Sequence, residues 1–468
     1  MAAGASDDRS RASVSLRADA EAIFRAALDR VDPAIMVERA IKVEGSGELV
    51  ARTELEELRY DLRNYDRILV AGFGKAGARM ALGLEKALGD RIDGGIVAVK
   101  DGHLEKLRTI ELVESSHPVP DERSAAAAGA LLALGEKVDE RCLVIVLISG
   151  GGSSLLCAPA PGITLADKAE TTRLLLASGA PIQEVNCVRK HISAVKGGRL
   201  AAALSPATLL SLILSDVIGD DLDVIASGPT VPDPTTWSDA LGIVRRRGIE
   251  ARLPPSVARR LRLGAEGGLP DTPKAGEAAF ARSRVLLVGT NRLALLAAEA
   301  EARKRGYRSL VLTSRLTGEA REAALFLLGI GKDIKAFSFP LQAPACVILG
   351  GETTVTLKGT GRGGRNQEMA LAFLDAMERS PKDADGILLL AASTDGSDGP
   401  TDAAGAFADG AAALAAREAG LDPRAFLGDN DSYDFFDRIG GLLRTGPTNT
   451  NVCDVQVLLV PRRAEEDV

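Results

Sequence analysis

Arg67-Ile68-Leu69-Val70-Ala71-Gly72-Phe73-Gly74-Lys75-Ala76-Gly77 is an aliphatic run that ends in glycines, and a stretch of helical character opens from it near Ala76. Strands of a parallel sheet hand over to crossover helices in this way. The same grammar recurs along the chain. In the first half the strand candidates are Arg67–Ala71, Gly95–Val99, Cys142–Ile148 and Leu209–Leu214. In the second half they are Arg284–Val288, Ser309–Leu312, Cys346–Leu349 and Gly386–Ala391, with Asp454–Val460 as a further alternating strand. The expected class is α/β.

A chain of 468 residues exceeds the size at which one core keeps growing, so two domains are expected. The segment Arg252–Ala281 concentrates Pro254, Pro255, Pro270, Pro273, Gly264, Gly267 and Gly268, a composition suited to a linker. The expected division is a flexible tail over 1–15, a Rossmann-like α/β/α sandwich over 16–275 and a second α/β domain over 276–468. The tail, with Asp7, Asp8, Arg9, Ser10 and Arg11 and no apolar centre, does not read as a secretory signal.

The formal net charge is −7, from 57 basic and 64 acidic residues. That balance gives no broad basic field for nucleic acid or an anionic membrane. Apolar runs such as Leu143–Ser149 are far shorter than the roughly 20 residues a bilayer-spanning helix needs. Five separated cysteines, Cys142, Cys157, Cys187, Cys346 and Cys453, lack zinc or redox spacing and fit a reducing cytoplasm. An Ala/Leu-rich chain makes a homodimer unsurprising.

Chemistry is concentrated where predicted strands end. In Gly72–Gly77 the glycines admit a ligand close to the backbone, and Lys75 stands where an anion would be received. Four residues do not separate the glycines ahead of Gly-Lys-Ser/Thr, so the turn is not a Walker A loop. Ser149-Gly150-Gly151-Gly152-Ser153-Ser154 suits a loop wrapping phosphates through its amides. A nucleophile elbow at Ser153 fails, because position 155 is Leu where Gly is required. Farther on, Asn186–Arg199 gathers Arg189, Lys190, His191, Lys196 and Arg199; helical spacing puts Arg189, Ser193 and Lys196 on one face, a cationic stripe or else a solvated one. Asp216 follows an apolar strand at the end where open α/β sheets present ligands, suited to a hydroxyl's proton or to Mg²⁺, or simply to capping. The neighbouring Asp220, Asp221 and Asp223 read as surface charge.

In the second half Gly350-Gly351-Glu352-Thr353 repeats the glycine turn. Gly359–Glu368 interleaves four glycines with Arg362 and Arg365 ahead of a helix, a pattern for anion binding. Ser393–Asp402 carries Asp395, Asp398 and Asp402, which could hold a cation but do not fit the EF-hand frame.

Glycine loops, cations and carboxylates at several strand ends are the inventory of phosphoryl transfer, which works by positioning and charge stabilisation. The residues alone reach a nucleotide-using enzyme, a kinase. Two other classes stay open. Gly72–Gly77 also fits Gly-x-Gly-x-x-Gly, with Asp93 or Asp101 as the acid of a nicotinamide site, which leaves the loops at 150–152 and 359–365 unexplained. A non-catalytic nucleotide or sugar-acid binding module explains the glycines without Asp216.

Gly72–Gly77, Ser116-His117-Pro118-Val119-Pro120-Asp121, Ser149–Ser154, Asn186–Arg199, Ser215–Pro229, Gly350–Thr353 and Gly359–Glu368, taken in this order, resemble the class II glycerate kinases. The C-terminal part of that family is named MOFRL from a motif that stands here as Gly363-Gly364-Arg365-Asn366-Gln367-Glu368. The resemblance runs from about residue 16 to 461. It implies a two-domain α/β enzyme with its active site in the interdomain cleft. The implied reaction transfers the γ-phosphoryl group of ATP, with Mg²⁺, to the 2-hydroxyl of D-glycerate. Members have also been labelled hydroxypyruvate reductases. Matched position by position, the resemblance implies Lys75, Asp216 and Arg365 as catalytic, Asp216 also meeting the metal. The nucleotide would lie on Ser149, Gly150, Gly151, Gly152, Ser153 and Ser154, with Gly350, Gly351, Glu352, Thr353 and Asn366, and the substrate on Gly74, Arg189, Lys190 and Lys196.

Overall fold

The computed structural model describes residues 2–45 and 47–462, with side chains from residue 15 onward. The chain folds as two compact units, one of residues 33–288 and one that joins residues 1–32 to 289–468.

Residues 33–288 begin with an antiparallel three-stranded sheet, β1 (Ile41–Glu44), β2 (Glu48–Arg52) and β3 (Glu57–Asp61). Six strands then form the main sheet: β4 (Arg67–Phe73), β5 (Gly94–Lys100), β6 (Ile110–Ser115), β7 (Cys142–Ile148), β8 (Thr208–Leu214) and β9 (Ser283–Gly289). Their spatial order is β6-β5-β4-β7-β8-β9, and β6 through β8 run parallel. Every residue of β7 and β8 is buried, as strands covered on both faces require. The order reverses at β4, with β5 and β6 on one side and β7 and β8 on the other. Such a switch point spreads the loops at the carboxyl ends and opens room for a ligand.

The region expected to be a linker is more ordered than its composition suggests. Pro254 and Pro255 start the helix Pro255–Ala265, where a proline lacks no bond it could have made. Val257 and Leu261 of that helix join Leu174, Leu175, Val188, Trp237 and Val244 in one apolar cluster. A Cβ at Gly264 would stand 2.2 Å from Trp237 Cδ2, so the glycine is there to seat the indole. The strand expected to open the second domain, Arg284–Val288, is instead β9 of the first sheet. The division therefore falls at 288/289, beyond the expected 275/276.

The other unit carries a mixed sheet of β10 (Arg308–Leu316), β11 (Ala345–Gly351), β12 (Leu388–Ser393), β13 (Gly405–Ala408), β14 (Leu442–Leu443) and β15 (Asp454–Val460), in the order β10-β11-β15-β12-β13-β14. Only β10 and β11 pair in parallel; the other pairs are antiparallel. The helix Arg365–Glu378 is buried along nearly its whole length and joins the core of this unit through Met369, Phe373 and Leu374.

The N-terminal segment belongs to this unit as well. Of the tail expected over 1–15, Met1 lies outside the described residues and the remainder opens the helix Ala2–Arg30. Ile23, Phe24 and Ala27 on this helix are fully buried. Arg17 forms a bidentate pair with Asp409 at 2.7 and 2.8 Å, Asp19 accepts from Arg305 at 2.6 Å and Tyr307 at 2.7 Å, and Val31 O accepts from Thr450. No helix among the described residues is long and apolar enough to cross a membrane.

Phe24→Ala should weaken the unit built on β10–β15 by about 3–5 kcal/mol, the usual range for emptying a fully buried Phe site. Urea unfolding followed by far-UV circular dichroism reads it, with the chain's single tryptophan, Trp237, reporting on residues 33–288 in the same titration. An unchanged unfolding curve would show that the N-terminal helix contributes nothing to that unit.

Candidate functional site

The loops after β4, β7 and β8 meet at the switch point. The Lys75 N–H donates to Gly150 O at 2.9 Å, and the Ala76 N–H donates to Ser149 Oγ at 3.1 Å. Two glycines allow this approach. At Gly74 (φ 135°) a Cβ would stand 2.1 Å from Ser149 Oγ, and at Gly150 it would stand 2.2 Å from Asp216 Oδ2. Asp216 therefore lies directly against the glycine loop. On the next residue, Gly151, a Cβ would come within 3.1 Å of both His117 Nε2 and Lys75 Cγ. Lys75, His117, Gly150, Gly151 and Asp216 thus share one place.

The expected phosphate loop divides into two kinds of residue. Ser149 is buried and spent on Ala76, Ser153 Oγ shares a hydrogen bond with Ser227 Oγ at 2.9 Å, and Ser154 Oγ donates to Pro118 O at 2.7 Å. Gly152 packs on Phe73 and Ala226. These positions shape the loop. The amides of Gly150, Gly151 and Ser153 take no acceptor among the described residues, and they are the donors left for an anion.

Electrostatics set the charge states. Burial pushes the Asp216 carboxyl above its usual range while Lys75 pulls it back. Burial, with Lys75, Lys100 and His103 around it, lowers His117 to about 4, so the imidazole is neutral at physiological pH.

The Asn186–Arg199 segment is built differently from the expected cationic face. Its helix stops at His191, because Ser193 leaves to bridge Pro159 and Ala194 N–H to bond Ala158 O. Lys190 is buried against Asp223 at 3.0 Å and Asp233 at 3.2 Å, an internal pairing that leaves its ammonium engaged. Lys196 is also buried, its ammonium on Ser153 O at 3.0 Å. The Arg189 guanidinium, on a half-buried side chain, makes no hydrogen bond or ion pair to any described residue.

In the other unit Arg365 opens its helix and grips Asp454 through Nε and Nη2 at 2.6 and 2.9 Å, while Nη1 meets Glu352 at 2.9 Å. Asp454 starts β15 opposite Gly351 of β11 and Ser393 of β12, which fixes the guanidinium at the ends of these strands. Asn366 is fully buried and bonded to Asp398, so it serves the fold. Gly350 abuts Asn291, and Thr353 is buried with its hydroxyl unpartnered among the described residues.

The loop at 359–364 reads as an anion nest, and its first amides are already taken by residues 429–431. Asn430 Oδ1 accepts from Lys358 and Gly359, Asp429 Oδ1 from Thr360, Asp429 O from Gly361, and Asp431 Oδ1 from Arg362. Asp398 accepts from the Asn366 and Gln367 amides at 3.1 and 2.8 Å, capping the helix. Burial raises its carboxyl to about 7, with Asp454 adding to the rise against the pull of those amides. The three carboxylates of the 393–402 loop also part company: Asp395 folds back on Ser393 and Ser397, and Asp402 takes Tyr433 and Arg444. Among the described residues no group of three or more His, Cys, Asp or Glu side chains is placed to hold a metal.

His117 and Asp454 carry no role in the sequence reading. His117 stands in a quoted motif, and its position just past β6 at the carboxyl edge of the sheet is the signal that could have found it. Nothing local marks Asp454, whose importance comes from strand register.

Comparison with known proteins follows the two units. Residues 345–454 match the family described as the MOFRL family, and residues 19–262 match a family described as a domain of unknown function, DUF4147. The chain is 43% identical over 398 residues to the D-glycerate 2-kinase of Thermotoga maritima, covering 85% of this chain and 91% of that protein. It is 44% identical over 449 residues to a protein of Agrobacterium vitis named putative hydroxypyruvate reductase, covering 96% and 95%. The crystal structure of a glycerate kinase from Thermotoga maritima matches with a TM-score of 0.83 at 39% identity, covering 95% of this chain and 99% of that one.

Gly150→Ala should destabilise the protein by about 1–3 kcal/mol, as overpacking against a fixed group does. Gly129→Ala, in a helix with nothing within 4 Å, should stabilise it by roughly 0.5–1 kcal/mol. Denaturant midpoints of the two variants check the pair; equal shifts would mean Asp216 does not press on the loop.

Proposed function

The chain belongs to the glycerate kinase family that carries a MOFRL domain, and from that premise we propose that it transfers the γ-phosphoryl group of ATP to the 2-hydroxyl of D-glycerate. The observation that carries this reading is the meeting of Asp216, Lys75 and three amides with no acceptor among the described residues at the β4/β7 switch point. The amides of Gly150, Gly151 and Ser153 receive phosphoryl oxygens. Asp216 takes the 2-hydroxyl proton as that oxygen attacks the γ-phosphorus, and the bond to the bridging oxygen of ADP breaks. Burial raises the Asp216 carboxyl above its usual range, which makes its carboxylate a stronger proton acceptor than a free one. Lys75 offsets charge on the transferring group.

In the unit of residues 289–462 Arg365 is held by Asp454 and Glu352 beside the turn Gly350–Thr353, an anion site of its own. The Asp454 and Glu352 pairings lock the guanidinium's direction and leave N–H groups for an anionic partner. Mg²⁺ neutralises polyphosphate charge in reactions of this type and usually keeps its waters, taking one or two carboxylates beside the phosphates. Asp216 would fit that limited demand as the carboxylate pressed against the glycine loop.

The nicotinamide reading loses part of its support in the fold. Asp93, one of the two acids available to it, precedes β5 and accepts from the Ile68 N–H at 2.7 Å, at the opposite end of the sheet from the glycine turn. Asp101 follows β5 at the right end but is paired with Arg123.

Asp216→Asn should lower kcat by roughly 10²–10⁴ with the circular dichroism spectrum unchanged, the range for lost acid–base assistance. Lys75→Ala should remove about 2.7–4 kcal/mol of transition-state stabilisation from kcat/KM for D-glycerate and ATP. Steady-state assays of both variants, with a hydroxypyruvate and NADH control, test the assignment. Wild-type turnover in Asp216→Asn, or NADH oxidation without ADP formation, would sink it.

A further inference from the structure

The chain has three histidines, and two of them are engaged. His191 is fully buried, with Nδ1 on Cys187 O at 2.8 Å and Nε2 on Asp271 at 3.0 Å. His103 sets Nδ1 on Asp101 O at 3.1 Å. His117 is half-buried, and neither of its ring nitrogens makes a hydrogen bond to any described residue. Its neighbours along the chain hold it in place. Ser115, fully buried, donates through Oγ to Leu155 O at 2.9 Å, and Pro118 O accepts from Ser154 Oγ at 2.7 Å. Both bonds run to the segment that continues the glycine loop after β7, so the residue between them is fixed relative to that loop.

The ring presents one edge to the loop. A Cβ on Gly151, where φ is 77°, would stand 3.0 Å from His117 Cδ2 and 3.1 Å from Nε2, with Lys75 Cγ also at 3.1 Å. Cδ2 and Nε2 are adjacent atoms of an imidazole, so Nε2 is the nitrogen turned toward Gly151 and Nδ1 lies on the far side. Nε2 therefore stands beside amides that take no acceptor among the described residues. The charges around the ring decide what it can do there. Burial does most to lower it to about 4, and Lys75, Lys100 and His103 act in the same direction. The acids nearby are engaged elsewhere: Asp101 and Asp121 both pair with Arg123, and Asp216 is drawn by Lys75. An imidazole with no carboxylate to hold a second proton on it stays neutral, with hydrogen on one nitrogen and a lone pair on the other. Such a ring offers a single directed N–H, the kind of donor that lines the place where negative charge develops in a transition state.

We propose that His117 is a phosphoryl-contacting residue of the glycine-loop site, its Nε2–H donating to an oxygen of the group that the amides of Gly150, Gly151 and Ser153 receive. The identity of that group rests on the kinase reading above. The loop amides supply backbone donors, Lys75 supplies charge, and His117 adds a directed hydrogen bond from the loop after β6. The imidazole gives up no proton and takes none, since the hydroxyl proton goes to Asp216. A substrate carboxylate has the same acceptor chemistry as a phosphoryl group, and the test separates the two sources.

Nitrogen-15 NMR of the full chain, labelled at histidine, reads the contact without turnover, and the signals missing from His117→Gln are those of His117. ATP with Mg²⁺ should shift His117 Nε2 and leave the ring as its Nε2–H tautomer, inorganic phosphate should act in the same direction, and His191 should not respond. In steady-state assays with D-glycerate and ATP, His117→Ala should lower kcat by roughly 10²–10³, the range for one lost donor to a transition state. His117→Gln, whose amide N–H reaches the place of Nε2, should recover much of that loss. His117→Asn, whose amide reaches only the place of Nδ1, should not. A histidine that merely shapes the loop would give losses that follow thermal stability and would not separate Gln from Asn; that result overturns the proposal. So does a His117 signal indifferent to ATP, or one that responds to D-glycerate alone and not to ATP, which would put the substrate carboxylate there. The two readings fail separately. A shift of Nε2 with ATP but no transfer to D-glycerate removes the kinase assignment alone, and undiminished turnover in His117→Ala removes the contact alone.

Discussion

The amide of Lys75 donating to the carbonyl of Gly150 at 2.9 Å is the contact on which the site depends. It ties the loop after β4 to the loop after β7 at the point where the sheet's chain order reverses. The contact demands glycine at two places, at Gly74, whose Cβ would enter the Ser149 hydroxyl, and at Gly150, whose Cβ would enter the Asp216 carboxyl. Once the loops are joined, Lys75 and His117 are brought together over Gly151, and Asp216 is pressed against the residue before it. Chemistry at this spot is a consequence of how closely two backbones can approach.

The two units use the same material to opposite ends. In residues 289–462 the amides of residues 358–362 and those of Asn366 and Gln367 are answered by Asp398, Asp429, Asn430 and Asp431. Here an internal carboxylate stands where a phosphate could have stood, and Arg365 is aimed by two further acids. In residues 33–288 the amides of Gly150, Gly151 and Ser153 have no such partner among the described residues. A donor left unanswered inside a fold that answers its neighbours is informative, because each lost bond is unfavourable by roughly 1–3 kcal/mol.

Much of this was legible in the sequence. The aliphatic runs ending in glycine located β4, β7, β8, β11 and β15, because parallel and central strands are buried on both faces and carry their own signal. The turns at Gly72–Gly77 and Ser149–Ser154 and the placing of Asp216 at a strand end follow from the same pattern. Other features depend on tertiary partners and leave no local trace. Proline and glycine density made Pro255–Ala265 look like a linker, although its prolines start a helix and Gly264 seats Trp237. Helical spacing put Arg189, Ser193 and Lys196 on one face, but a bridge to Pro159 ends the helix at His191. Glycines interleaved with arginines at 359–365 looked open to a ligand throughout, because the residues that take the first of these amides lie some seventy residues on, at 429–431. The N-terminal helix joins the distant C-terminal unit through Phe24, Arg17 and Asp19, a pairing across the whole chain that no window of sequence reports.

The most direct test of the central claim is the phosphorus spectrum of the product formed from D-glycerate, ATP and Mg²⁺, read by ³¹P NMR without proton decoupling. A phosphate on the 2-oxygen is coupled to the single proton of the carbon that bears it, so the account predicts a new doublet growing as the γ-phosphate of ATP disappears. A triplet, from a phosphate on the terminal CH₂ carbon, or loss of the γ-phosphate to inorganic phosphate alone, would contradict it.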